Sequence, residues 1–204
     1  MLNDAKQKNA RSLQAIVRER FGPLQDRVTI MQSDANRAVV DLCRTTNWRS
    51  SRAVVFLDPF GLQMDFDMVS ELGRTGAVDL WYLVPVLGMS RQIKQDGSIL
   101  EPGGSRIDRL LGTNAWRTGA AIAEPGEIDL FGQVQPSVRK VANAGWFEQV
   151  AIQQLRTAFR GGVLETALPL GRNGLHEFSL VFACANPRAG ANELAKRLAA
   201  AVLK

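Results

Sequence analysis

The chain has 204 residues, 46% of them hydrophobic and 22% charged, which fits one globular domain with a sizeable core. Its net charge of +5 is unevenly spread: residues 1–50 carry +4, residues 51–150 carry −3 and residues 151–204 carry +4. Basic flanks of this kind are compatible with a nucleic-acid partner and equally with solvated helix faces. No run of about 18 apolar residues exists, and the start lacks an apolar signal core, so the expectation is a cytoplasmic protein without a membrane partner. Cys43 and Cys184 lack metal-ligand spacing, and His176 is the only histidine, so zinc sites and serine–histidine–aspartate chemistry are poorly supplied.

In chain order, Ala10, Leu13, Ile16, Val17 and Phe21 recur at helical spacing over residues 5–21, and Gly22-Pro23 stops that helix. Val28–Met31 reads as a short strand. Asp34 then stands where it would cap a helix whose face is Ala35, Ala38, Val39, Leu42 and Cys43. Asn47–Ser51 is a loop into Ala53–Leu57, an uninterrupted apolar run expected to be a strand buried on both faces. Phe66, Val69, Leu72 and Gly73 give another helix, ended by Gly76, and Val78–Val84 is a third strand closed by Pro85. Helices alternating with strands predict a mostly parallel sheet of the α/β class.

Residues 86–145 break the rhythm with Gly97, Glu101–Gly104, Gly112, Glu124–Gly126 and Pro136, and only Ile107, Leu110 and Leu111 mark a brief helix. An irregular insertion of that length is expected to be a lid or a partner-binding element within a single domain spanning 1–204. Arg91, Trp116 and Arg117 are its candidate substrate-binding side chains. Trp116 and Arg117 could stack on a base or grip a phosphate, although a lone tryptophan in such a segment more often anchors it to the core. Regular structure resumes with Phe147, Ala151, Ile152, Leu155 and Phe159 on one helix face, ended by Gly161-Gly162. Val163–Leu168 and Phe178–Ala183, joined around Gly171–Gly174, predict a β-hairpin and thus an antiparallel edge. A final helix carries the stripe Leu194, Ala195, Leu198, Ala199, Val202 and Leu203.

The most conspicuous turn is Asp58-Pro59-Phe60-Gly61, directly after the strand at 53–57. Ligands of open α/β sheets bind beyond the carboxyl ends of the strands. A carboxylate held there in a proline–glycine turn beside an aromatic ring is a candidate site. A turn-opening, helix-capping aspartate is the alternative.

Parallel strands followed by an antiparallel hairpin resemble the Rossmann-like sheet of class I S-adenosylmethionine-dependent methyltransferases. The words FLDPFG, LLGTNAW and HEFSLVFACANPRAG together resemble the bacterial three-Cys-motif partner proteins, which have a methyltransferase-like fold. Several separated words in the right order carry this likeness over most of the chain. The resemblance implies that Asp58 and the Pro59 carbonyl orient an acceptor, that Phe60 shapes its pocket and that Gly61 completes the turn. It implies that Asp4 and Asp34 hold the ribose and adenine ends of S-adenosylmethionine, and that the chain works beside a protein encoded nearby. It also implies an upstream strand with a glycine-rich turn cradling the cofactor, for which Met1–Asp4 leaves no counterpart. The expectation is therefore an N-terminally incomplete sheet, from a truncated or split gene or a start read too late. A non-catalytic binding module acting with a partner is the alternative, and a nucleic-acid binder using Arg106, Arg109 and Arg117 is a third.

Overall fold

The computed structural model describes residues 1–128 and 134–203. The chain falls into two units, residues 1–47 and residues 48–204.

In the first unit, strand β1 (Leu2–Asn3) pairs in parallel with β2 (Ile30–Met31). Helix α1 (Gln7–Arg20) and a 3-10 turn over Gly22–Arg27 connect them, and α2 (Ala35–Thr45) follows β2. The strand read at 28–31 thus shrinks to its last two residues, because the 3-10 turn at Pro23 runs through Arg27 and leaves Val28 as its cap. Asn3 Nδ2 donates to the Ser33 carbonyl at 3.0 Å, and Ser33 Oγ donates to Asn3 Oδ1 at 2.8 Å, tying the two strand ends. Of α1, only Ala10 is buried, while Ile16 and Phe21 of the anticipated apolar face stand exposed.

The second unit is built on a mixed four-strand sheet. Strand β3 (Ala53–Leu57) leads through α3 (Phe66–Arg74) to β4 (Val78–Val84), and the two strands pair in parallel. Next come α4 (Val86–Ser90), α5 (Gly103–Leu111) and α6 (Trp116–Gly119). Strands β5 (Ala121–Ile128) and β6 (Val134–Lys140) form a separate antiparallel ribbon. Helix α7 (Ala144–Ala158), β7 (Leu168–Leu170), β8 (Phe178–Cys184) and α8 (Ala189–Val202) complete the chain. The strand order is β3-β4-β8-β7, with β8 antiparallel to both neighbours. The hairpin at the antiparallel edge is present, although Val163 contributes only an isolated bridge to Ala183 and its first regular strand begins at Leu168.

Alternation along β4 assigns the two faces. Val78, Leu80, Tyr82 and Val84 are buried on one side, in register with Val55, Leu57, Val181, Ala183 and Ser179. Helix α7 packs behind this face through Phe147, Ala151, Ile152 and Leu155. Helices α3 and α7 approach so closely that a Cβ on Gly73 would lie 2.3 Å from the Ala158 carbonyl oxygen. The opposite face carries the cross-strand row Phe56, Trp81 and Phe182. Helix α8 covers only part of it, over Phe182 and Cys184, with Trp81 and Phe182 rings 5.0 Å apart.

This corrects the expectation for the strand at 53–57. It is an edge strand rather than one buried on both faces, and Val54 and Phe56 are 71% and 60% exposed. The stripe read on α8 is likewise divided. Ala199 is buried and Ala195 packs beside it, whereas Leu194, Leu198 and Val202 face solvent. Residues 86–145 hold three short helices and the ribbon, more regular structure than an irregular insertion; residues 129–133 lie outside the described residues. The ribbon's base is stapled to α4: Lys140 Nζ donates to the carbonyls of Ser90 (2.6 Å) and Ile93 (3.1 Å), and Ser90 Oγ donates to the Ala142 carbonyl (2.9 Å).

Candidate functional site

Because β3 and β4 are parallel, their carboxyl ends lie at one end of the sheet, and Asp58-Pro59-Phe60-Gly61 leaves β3 there. The alternation of the strand runs on into the turn: Val54, Phe56, Asp58 and Phe60 are exposed, while Leu57 and Pro59 are buried. Gly61 then takes φ +65, a left-handed conformation that glycine adopts without cost, and no atom lies within 4 Å of where its Cβ would be. Conformation, not space, therefore demands the glycine. Buried Leu62 and Met64 pin the chain beyond the turn, Leu62 against Gly88 of α4. The turn is thereby held by apolar anchors on either side while Asp58 and Phe60, the latter 80% exposed, project outward.

The geometry also decides between the two readings of Asp58 as a cap and as a free carboxylate. Helix α3 begins at Phe66 with Asp65 at its N-cap position, so Asp58 does not cap it. No hydrogen bond or ion pair engages the Asp58 carboxylate among the described residues. A charged acceptor with no structural partner, beside an exposed ring, is equipped to bind a hydrogen-bond donor from outside.

The other sequence-derived candidates have local duties. Asp4 accepts from the Lys6 amide at 2.7 Å and from Asn9 Nδ2 at 2.9 Å, and these bonds, with Asn9 first, hold its carboxyl below the usual range. Asp34 caps α2, accepting from the Arg37 amide at 3.1 Å. Gly22, inside the 3-10 turn, is the only glycine of residues 1–47. A nucleotide-type cofactor needs a free carboxylate for its ribose and a glycine turn that admits its backbone closely. These residues do not fit S-adenosylmethionine, since hydrogen bonds within their own segments engage both carboxylates and the glycine turn is not among them.

Arg91 ends α4 with an exposed side chain that meets no partner among the described residues. Trp116, 3% exposed, packs on Phe147 with ring centroids 5.7 Å apart and donates its indole N–H to Asp108 at 2.8 Å. Arg117 forks onto both oxygens of Asp108 and reaches Glu101 at 2.9 Å. These carboxylates raise the guanidinium's already high pKa further, Asp108 more than Glu101. The pair thus anchors α5 to α6. Arg109 lies 3.9 Å from Asp65.

One cluster was not anticipated. Ser179, fully buried at the start of β8, donates Oγ–H to Glu148 Oε2 of α7 at 2.7 Å and lies 2.7 Å from His176 Nε2. With the serine O–H donating to the glutamate, the serine oxygen is left to accept from His176 Nε2–H. The buried serine is a bridge, closed to external electrophiles. The sequence signal was a lone histidine three residues before a serine at a strand start; Glu148 is 31 residues from that serine. Among the described residues no group of histidine, cysteine, aspartate and glutamate could hold a metal ion, and no helix is long and apolar enough to cross a membrane.

Fold and site together define an α/β domain with a mixed sheet that displays a free carboxylate and an aromatic ring at the carboxyl end of its parallel pair. No family model, curated protein or solved structure matches the chain.

Proposed function

We propose that this chain is the acceptor-holding part of a methyltransferase-like protein of the three-Cys-motif partner kind, and that it depends on a partner polypeptide for the methyl donor. The observation that carries the reading is the unpartnered, exposed carboxylate of Asp58 beside exposed Phe60 at the carboxyl end of β3. An ionised aspartate accepts hydrogen bonds only, so it selects a donor-bearing acceptor such as an amine. With the Pro59 carbonyl beside it, two acceptors would fix the direction of the amine lone pair, and the Phe60 ring offers a face to stack against. The strand order β3-β4-β8-β7 and the FLDPFG turn support a Rossmann-like class I methyltransferase sheet.

The dependence on a partner rests on Asp4 and Asp34, whose carboxylates are engaged by hydrogen bonds within their own segments. The experiment has two arms. Calorimetric titration of S-adenosylmethionine into the chain alone is expected to show no heat of binding, and saturable binding would overturn the dependence. Methyl transfer from labelled S-adenosylmethionine, assayed in a bacterial extract supplemented with the chain, is expected to fall to background with Asp58→Ala while the circular dichroism spectrum is unchanged. Equal labelling by both proteins would overturn the role of Asp58. The non-catalytic binding module shares the unfit donor residues and predicts no labelling above the unsupplemented extract.

A further inference from the structure

We propose that β3 is a self-complementary edge through which two copies of this chain pair antiparallel about a twofold axis at Val55, forming one continuous sheet. The Ala53 amide donates to the Ala77 carbonyl at 3.1 Å, and Ala53 is in register with Val78. Alternation then turns the backbone groups of Ala53, Val55 and Leu57 toward β4 and those of Val54 and Phe56 toward the open edge. Among the described residues nothing pairs with that edge. Edge strands are ordinarily blunted by charge, proline or a bulge. Ala53–Leu57 has no charged residue and no proline, and its pairing with β4 runs without a register shift.

The occupant is chosen by what lies at the ends of the strand. Arg52 precedes β3 and Asp58 follows it. With the axis at Val55, Arg52 faces the partner's Asp58 and Asp58 faces the partner's Arg52, while Val54 and Phe56 each oppose the other across the axis. Outward-facing backbone groups meet outward-facing ones, so the narrow hydrogen-bonded pairs can form. A slip of one residue forfeits them. A slip of two opposes Asp58 to the partner's Val54 or the partner's Ser50 and loses both charge pairs. Valine–phenylalanine and opposite-charge pairs are both favourable across strands. A twofold contact uses the same patch on each copy, which is what a palindromic strand supplies. Arg52 binds the carbonyls of Trp48 (3.0 Å) and Ser51 (2.6 Å) through Nη1 alone, leaving its other donors for the partner's carboxylate.

The pairing also brings a cation from one copy to the turn of the other. That part alone rests on the reading of Asp58 above: a carboxylate has acceptor sites for both a guanidinium and an amine.

Sedimentation velocity across a concentration series tests the dimer without reference to methyl transfer. The expected result is a rise from 22.4 kDa to twice that mass. Arg52→Asp or Asp58→Arg alone places like charges opposite each other at both ends and is expected to weaken dimerisation at least tenfold. The double swap Arg52→Asp with Asp58→Arg is expected to restore it. Hydrogen exchange of the unmodified chain is expected to slow at the Val54 and Phe56 amides as concentration rises. A monomer at every concentration, a dimer indifferent to the single swaps, or β3 amides protected only when a different polypeptide is added would each overturn the proposal.

Discussion

Strands β3 and β4 run side by side in the same direction, and both read as apolar strands, yet they live in different surroundings. In β4 every second side chain from Val78 to Val84 is buried, and both edges are paired. In β3 only Leu57 is fully buried, one edge is open, and Val54 and Phe56 face solvent. Sequence alone does not separate the two cases, because hydrophobicity records what a strand can bury and not what is there to cover it. What the contrast teaches is that the carboxyl end of the parallel pair combines a rigid half, anchored in β4, with a half that still has binding capacity in both its backbone and its side chains.

Truncations to alanine on the two strands test that contrast. Leu80→Ala on β4 is expected to cost about 2–5 kcal/mol in urea unfolding, whereas Val54→Ala on β3 should stay within about 0.5 kcal/mol in the monomer. Equal costs would mean that β3 is covered. At the same end of the sheet, Ser179→Ala leaves Glu148 and His176 without the hydroxyl between them, an expected loss of about 1–3 kcal/mol by the same measurement. Tyr82 gives the opposite sign. Its hydroxyl is buried with no hydrogen-bond partner, and burial pushes the phenol well above its usual range. Tyr82→Phe is expected to raise stability by up to about 1 kcal/mol, since an unsatisfied group is removed. Asp58→Ala should likewise stay within about 0.5 kcal/mol, rather than show the loss of about 1 kcal/mol expected for a helix cap.

A pH series provides a further check on the covered side. Burial, with Asp79 nearby, pushes the Cys184 thiol up to about 11. The folded state therefore keeps that proton after the unfolded thiol has lost it. Stability linked to Cys184 is complete below pH 9 and declines as pH rises toward about 11. Thiol labelling at pH 8 should find Cys184 inert until the chain unfolds; prompt labelling in the folded protein would contradict its burial.

Much of this architecture was legible in the residues. The bounds of β3 and β4, the buried face of α7 and the brief helix around Ile107 follow from apolar period and from the Gly and Pro that end each element. Three things were hidden. The edge position of β3 depends on strand order, which local pattern does not encode. The split of the α8 stripe turns on Ala195 and Ala199 fitting against Phe182, where the larger leucines were the natural choice for the core. The Ser179 bridge joins α7 to β8, so no local motif announces it. As for the site, the turn at Asp58 was visible from Pro59 and Gly61, while the local duties of Asp4, Asp34 and Arg117 emerge only from hydrogen bonds.

The fork of Arg117 has a consequence for how the molecule opens. It closes residues 101–117 into a loop held by charge as well as by Trp116. The Glu101 carboxyl is held below its usual range by the hydroxyl and amide of Ser105 and then by Arg117. Its folded value is depressed, so its contribution is present at neutral pH and is lost as pH falls through that value, below 4.5. Acid below that value should therefore weaken the Glu101 arm of the fork, while the buried Ile107, Leu111 and Trp116 keep α5 and α6 on the core.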